Sequence, residues 1–248
     1  MNFSYEAWIF IIFIFCLAAS IHGSIGFGFL MVATPLLAFF TNIQTAIVLT
    51  LIPTVLVNLI SIVSEVNILL AARRHLSLAL FAMPGCGVGT NIMLSVNSDI
   101  FKDLLGIVII IYLLVEKTKL KLSWIRLYPR LSKLTFGVSV GLVGGMSNVM
   151  GPVLIIYSLE SKYSKRVIVQ ASNLCFLYGK IIQIYFFTLN DKFSLNELST
   201  STIMLFVSSI GLYVGIELKK KINEKVYQKI IRALLFTLAT VLLIQVSV

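Results

Sequence analysis

The chain alternates long apolar runs with short polar connections, and within the runs apolar residues do not alternate with polar ones. Continuous runs of this kind predict bilayer-spanning helices, because a spanning strand needs period-two alternation. Eight runs can be drawn, at 7–40, 44–64, 76–96, 104–115, 134–159, 167–189, 199–218 and 230–248. The first is too long for one crossing. At 1.5 Å per residue it would measure about 50 Å, against a hydrocarbon core of about 30 Å. It breaks at Gly23-Ser24-Ile25-Gly26-Phe27-Gly28. The fifth run has the same character. Its stretch GLVGGMSNVMGPVLIIY (141–157) holds four glycines, a Ser-Asn pair and a Gly-Pro, which no continuous helix favours. The expected fold is therefore an all-α integral membrane protein whose first and fifth segments are broken.

The two halves resemble each other. Gly85, Gly89 and Asn97 pair with Gly211, Gly215 and Asn223 at an offset of 126, and Ile100-Phe101 pair in character with Val226-Tyr227. Gly28 pairs with Gly151 at an offset of 123. Pairings in the same order along the chain point to a duplicated four-segment unit, 1–122 and 123–248.

Charge then constrains the topology. If all eight segments cross, the basic loops 116–133 and 159–166 fall on opposite faces, against the positive-inside rule. If segments one and five each enter and return on one face, the loops 65–75, 116–133, 159–166 and 217–232 share a side. That side then holds seventeen Lys and Arg against two, Lys102 and Lys192, on the other. Each half would cross three times, so the second would be inverted relative to the first, with both termini outside. A kinked crossing of segment one or five is the competing arrangement.

Composition agrees with the membrane reading: 58% hydrophobic and 12% charged residues, with mean hydropathy +1.00, where a soluble domain carries roughly 25% charged residues. The net charge of +10 sits in short loops, so it encodes orientation and not nucleic-acid binding. Cys16, Cys86 and Cys175 all lie in apolar runs, which argues against a disulfide framework or a metal cluster. No cofactor is expected. Residues 1–20 lack a basic start and continue apolar past Ala19, so they are read as retained and not as a cleaved leader.

The candidate chemistry lies at the breaks, which enter from opposite faces and are expected to meet near the midplane, where secondary transporters place their substrate. Each starts a new half-helix whose free N–H groups and positive dipole end point into the membrane. Gly23, Gly26 and Gly28 in the first break and Gly144, Gly145 and Gly151 in the second allow close approach to backbone N–H groups. Ser24, Ser147 and Asn148 add side-chain donors, and Pro152 suits a first helical turn. Donors without a matching carboxylate favour a small anion. The competing reading is that these glycines only permit tight helix packing, as Gly85, Gly89, Gly211 and Gly215 are expected to do.

Lys180 lies deep in segment six, where an ammonium is a functional candidate by default; it neutralises an anion, carries a coupling proton, or snorkels to the interface. Its repeat partner at an offset of 122 is Asn58. His22, beside the first break, is the candidate for proton coupling, with a satisfied buried histidine as the alternative. Gln170, Asn173, Tyr178 and Gln183 mark a polar face on segment six, with Asn173 included among the candidate ligands.

The stretches GSIGFGFLMVATPLL (23–37) and GLVGGMSNVMGPVLIIY (141–157), set in two four-segment halves, resemble the sulfite exporter TauE/SafE family of membrane permeases. The resemblance covers nearly the whole chain. It implies transport, usually outward, of small sulfur-containing anions such as sulfite or organosulfonates across a bacterial-type cell membrane. No nucleotide-binding motif is present, so any energy comes from an ion gradient or the substrate's own gradient. An unrelated small anion or metabolite, a non-transporting scaffold, and a membrane-embedded enzyme are the other classes. The enzyme class suffers from having two histidines and acidic residues only near segment ends.

Overall fold

The computed structural model describes residues 4–65, 68–96, 99–115 and 122–219, together with 233, 236, 239 and 240. The repeat positions Asn97, Asn223, Val226 and Tyr227, and nearly all of the eighth segment, lie outside the described residues. Among the described residues the chain is all-α, in ten helices.

The first run divides into α1 (Tyr5–Ile25) and α2 (Phe29–Phe40). The Ser4 hydroxyl caps α1 by accepting from the Ala7 amide at 3.3 Å. At 21 residues α1 is about 32 Å long, enough to cross a hydrocarbon core by itself. The pieces are therefore unequal: the helix continues through Gly23 and Ser24 and stops only at Gly26. Gly26 and Gly28 both take left-handed backbone, φ +96° and +111°, which side-chain-bearing residues adopt at a cost. After α2 come α3 (Ile43–Glu65), α4 (Ile68–Ser95) and α5 (Asp99–Val115). Pro84 and the neighbouring glycines do not interrupt α4.

In the second half, the end of the basic connection folds as a short α6 (Trp124–Leu127), and α7 (Pro129–Ser147) begins five residues before the apolar run does. Its C-cap is Asn148, also left-handed at φ +64°. Then come α8 (Gly151–Glu160), α9 (Lys165–Leu189) and α10 (Leu195–Lys219). Five helices, α1, α3, α4, α9 and α10, contain apolar stretches long enough to cross a membrane.

Both broken segments fold back on themselves. Phe40 near the end of α2 stacks on Phe10 near the start of α1, with ring centroids 5.7 Å apart. In the second hairpin Tyr157 of α8 packs on Phe136 of α7, and the Glu160 carboxylate accepts the Leu122 amide at 3.0 Å. The open ends of the two hairpins lie at opposite ends of α4. His75, early in α4, packs on Tyr163 beside the second hairpin. The Met93 carbonyl, late in α4, accepts from Gln44, which follows the first hairpin. Tyr157 and Tyr163 meet edge-on. Burial, ahead of the contact with Tyr157, holds the Tyr163 phenol above its ordinary pKa, so that phenol stays neutral.

The tightest helix crossings join the two halves. α4 packs on α7, and α1 packs on α10. Gly85 and Gly89 of α4 lie against the carbonyls of Val138 and Leu142. Gly211 and Gly215 of α10 lie against those of Cys16 and Ser20. The four glycines act as packing positions, as the sequence predicts: backbone meets backbone where a side chain would stand.

Candidate functional site: a buried lysine at the second helix break

The second break is a polar cluster built from three elements besides its own hairpin. The Lys180 ammonium of α9 donates to Asn148 Oδ1, and to Gln183 Oε1 at 2.6 Å. Gln183 lies one turn further along the same helix, where i and i+3 share a face. Asn148 Nδ2 donates to Thr34 Oγ1 of α2 at 2.8 Å and to Thr50 Oγ1 of α3 at 3.1 Å. Gln183 Nε2 reaches the Gly144 carbonyl at 3.3 Å. Lys180, Asn148 and Gln183 are each 1% exposed, and Thr34 and Thr50 are fully buried. Asn148 can serve here because its left-handed backbone ends α7 and turns its carboxamide towards α9. The Met150 side chain fills the notch beside Gly144 and Gly179, giving the cluster a flexible apolar wall.

Among the described residues no carboxylate pairs with Lys180. Its acceptors are neutral amide oxygens. A buried cation held only by dipoles is poorly compensated, and an anion at this place would relieve it.

The first break is arranged differently. The Gly26 amide donates to the His22 carbonyl at 2.6 Å, closing α1. Asn173 Nδ2 of α9 donates to the Gly26 carbonyl at 2.7 Å. His22 Nδ1 accepts the Phe29 amide, the first of α2, at 3.3 Å, and its Nε2 lies 2.7 Å from Ser61 Oγ of α3. A cavity of about 150 Å³ adjoins this break, lined by Gly23, Gly26, Ser61, Ser64, Leu212, Ile216 and Lys219. No described atom lies within 4 Å of the place a Cβ on Gly28 would occupy.

The predicted ligand residues thus fall into groups. Lys180 and Asn148 meet directly, with Gly144 reached through Gln183; Gly26, Asn173 and His22 meet at the other break. Gly151 opens α8 against Met31, and Pro152 follows as its second residue, without a hydrogen-bonding role. Gly23 and Gly145 face α10 and α4 backbone and act in packing. Ser24 donates to the Ser20 and Gly215 carbonyls, at 2.9 and 2.8 Å. Ser147 donates to Val143 O at 2.8 Å and accepts the Val149 amide. Both hydroxyls are engaged in local structure. Asn58 is buried, and its Nδ2 has no partner among the described residues. Asn173 and Lys180 touch different breaks about 10 Å apart along α9, while α2 of the first hairpin reaches the second break through Thr34 on Asn148 and Met31 beside Gly151.

Thr34 and Thr50 escaped the sequence reading. The available signal was weak: Thr50 and Thr54 share a face at i, i+4 in an otherwise apolar run, and Thr34 precedes the proline of α2. Because Ser24 is one of two hydroxyls on the α1–α10 crossing, Ser24→Ala is expected to cost about 0.6 kcal/mol of stability and leave transport within twofold of wild type. Thermal unfolding and flux on one preparation check this.

Five helices long and apolar enough to cross a membrane, packed around a buried polar cluster, fit an integral, multi-pass membrane protein. The family model of the sulfite exporter TauE/SafE proteins matches residues 11–242, and the chain belongs to that family. It is accordingly a membrane transporter and not an enzyme. No curated protein and no solved structure compared with the chain matches it.

Proposed function

We propose that the protein exports a small sulfur oxyanion, sulfite or an organosulfonate, and binds it at the Lys180–Asn148–Gln183 cluster. One observation carries the assignment: a buried ammonium whose only described acceptors are two amide oxygens. An arriving oxyanion replaces those amides as acceptor, and the freed carboxamides turn their N–H groups towards it. Charge-assisted hydrogen bonds of this kind contribute about 1.5–3 kcal/mol each. The N-terminus of α8, three residues after Asn148, adds its positive dipole end.

The chain is read as two inverted repeats, 1–122 and 123–248, each with a re-entrant hairpin. The matched glycine crossings support this: with α10 shifted back by 126 and α1 forward by 122, Gly211–Cys16 and Gly215–Ser20 become Gly85–Val138 and Gly89–Leu142. The hairpins fold back from opposite ends of α4, as inversion requires. The basic connections then lie on the cytoplasmic face of a bacterial-type cell membrane. A cysteine at Tyr128 and one at Tyr163 are expected to react with an impermeant thiol reagent from the same, cytoplasmic side. Labelling from opposite sides would sink the hairpin topology. Proton coupling is assigned to His22 and the first break.

The test of substrate binding is sulfite flux into proteoliposomes with competition by a panel of anions. Sulfite and sulfonates are expected to compete, and carboxylates of similar size to compete weakly. Equal competition by every anion tested would remove the sulfur-oxyanion assignment.

A further inference from the structure

Resting on the reading that the chain moves a small anion, we infer that the first break is a second, proton-gated anion site in which His22 exchanges a helix cap for a ligand. The Nδ1 atom of His22 accepts the Phe29 amide at the start of the twelve-residue α2. A neutral imidazole accepting at Nδ1 carries its proton on Nε2, and that N–H is directed at Ser61 Oγ. A proton arriving at Nδ1 takes the lone pair that the Phe29 amide uses. The cap is lost, the Phe29 N–H is released, and the ring gains a donor and a positive charge on the same side. Both N–H groups then point at the space in front of α2, where the helix dipole also favours an anion. The Nε2–H···Ser61 bond is untouched, so the ring keeps its orientation.

A buried polar atom without a partner stands beside the same break. Asn173 Oδ1 has no partner among the described residues, although its Nδ2 is fixed on the Gly26 carbonyl. Asn58 Nδ2 is likewise without one, one turn before Ser61 on α3. Each residue is no more than 1% exposed, and native interiors rarely leave such groups unmet. The space beside Gly28 is open. The cavity that Ser61 and Ser64 line with Lys219 reaches Ser61, the partner of Nε2.

The described surroundings leave the charge of His22 to the proton and the ligand. α3 faces it with Ser61, and α9 faces this break with Val169 and Asn173. α10 offers Lys219 at the cavity wall. α2 carries no charged residue, and Glu6 of α1 is at the far end of the hairpin. Proton and anion then bind together and stabilise each other by the same factor. The site lies about 10 Å along α9 from the Lys180 cluster, so a released anion has a second stop whose affinity follows pH.

The chain has two histidines, so a His75→Gln variant shows His22 as the single imidazole in nitrogen-15 NMR. The probes are thiosulfate and methanesulfonate, whose charge is constant through the neutral range. Without anion, the neutral ring is expected to carry its proton on Nε2. Saturating anion is expected to raise the His22 titration midpoint by about one pH unit, the equivalent of tenfold tighter binding to the protonated ring. A His22→Asn variant keeps an acceptor for the Phe29 amide but cannot titrate, and its anion affinity is expected to be flat with pH. A neutral ring protonated on Nδ1 overturns the inference. So does an unmoved midpoint in a sample where calorimetry shows the anion bound, and in that case the Lys180 reading stands. A wild type that binds neither probe nor sulfite at any pH contradicts both.

Discussion

A Lys180→Met chain is expected to insert and fold, and to transport sulfite at about one-hundredth of the wild-type rate. The magnitude follows from two charge-assisted hydrogen bonds to the anion, together about 3 kcal/mol, at 1.4 kcal/mol per tenfold. The accompanying stability is the informative part. Methionine follows the path of the lysine stem and removes a buried, poorly compensated cation, which offsets the loss of the donor to Asn148 Oδ1 and Gln183 Oε1, so the melting temperature should hold within a few degrees. Asn148 keeps its bonds to Thr34 and Thr50, and Gln183 keeps Gly144. A protein that loses flux while keeping its stability has lost a binding group that its fold did not need. If flux and melting temperature fall together, the lysine is a structural anchor of the hairpin tip and the anion site is elsewhere.

The second large effect is expected at the α4–α7 crossing. A Cβ on Gly141 would fall inside the van der Waals shell of the Ala82 carbonyl and close to the Cys86 amide. Both obstacles are helix backbone and cannot rotate away. Gly141→Val therefore forces α7 off α4 and moves the whole second hairpin, including Asn148. Overpacking of this kind costs about 1–3 kcal/mol or more, and for a chain of this length about 3 kcal/mol lowers the melting temperature by about 10 °C. Accumulation of the protein should fall with it. Gly151→Ala gives the contrast, because its new methyl meets the thioether of Met31, the far end of a flexible side chain. Thermal scans of both variants in one detergent check the difference; equal stability of the two would contradict the described crossing.

The breaks themselves were legible because their composition is local. Gly26 and Gly28 are needed for left-handed backbone, and Gly151-Pro152 opens a helix, whatever surrounds them. The depth of Lys180 was legible for a similar reason, since an ammonium well inside an apolar run has few explanations. Segment lengths were less so. Ser4 and Pro129 start helices before the apolar runs begin, and the sequence contrast that marks a run says nothing about its caps. The partners of Lys180 were out of reach because they depend on packing: Asn148, Thr34 and Thr50 come together only when the second hairpin inserts between α2, α3 and α9. Packing also decides the fate of Ser24 and Ser147. Each is a plausible donor for a ligand in isolation, and each is engaged by a backbone carbonyl four residues earlier in its own helix.

The same dependence separates the two breaks functionally. Sequence symmetry pairs Lys180 with Asn58, yet only the lysine is long and charged enough to reach across to a hairpin tip. The second break consequently holds a buried amine within hydrogen-bonding reach of its tip, whereas the described groups that bond at the first are amides, a hydroxyl and one imidazole, with Lys219 at the wall of the adjoining cavity. On the proposed reading, two sites of unlike character along α9 suit a transporter that must hold an anion and also let it go.

The claim that a sulfur oxyanion is held by Lys180 is tested most directly by a structure determined with selenite, whose selenium identifies the anion by anomalous scattering. The account predicts a selenium peak within hydrogen-bonding reach of Lys180 Nζ, with the Asn148 or Gln183 carboxamide turned away from its present bond to the ammonium. A peak elsewhere in the membrane region, with Lys180 still donating to both amide oxygens, would contradict it.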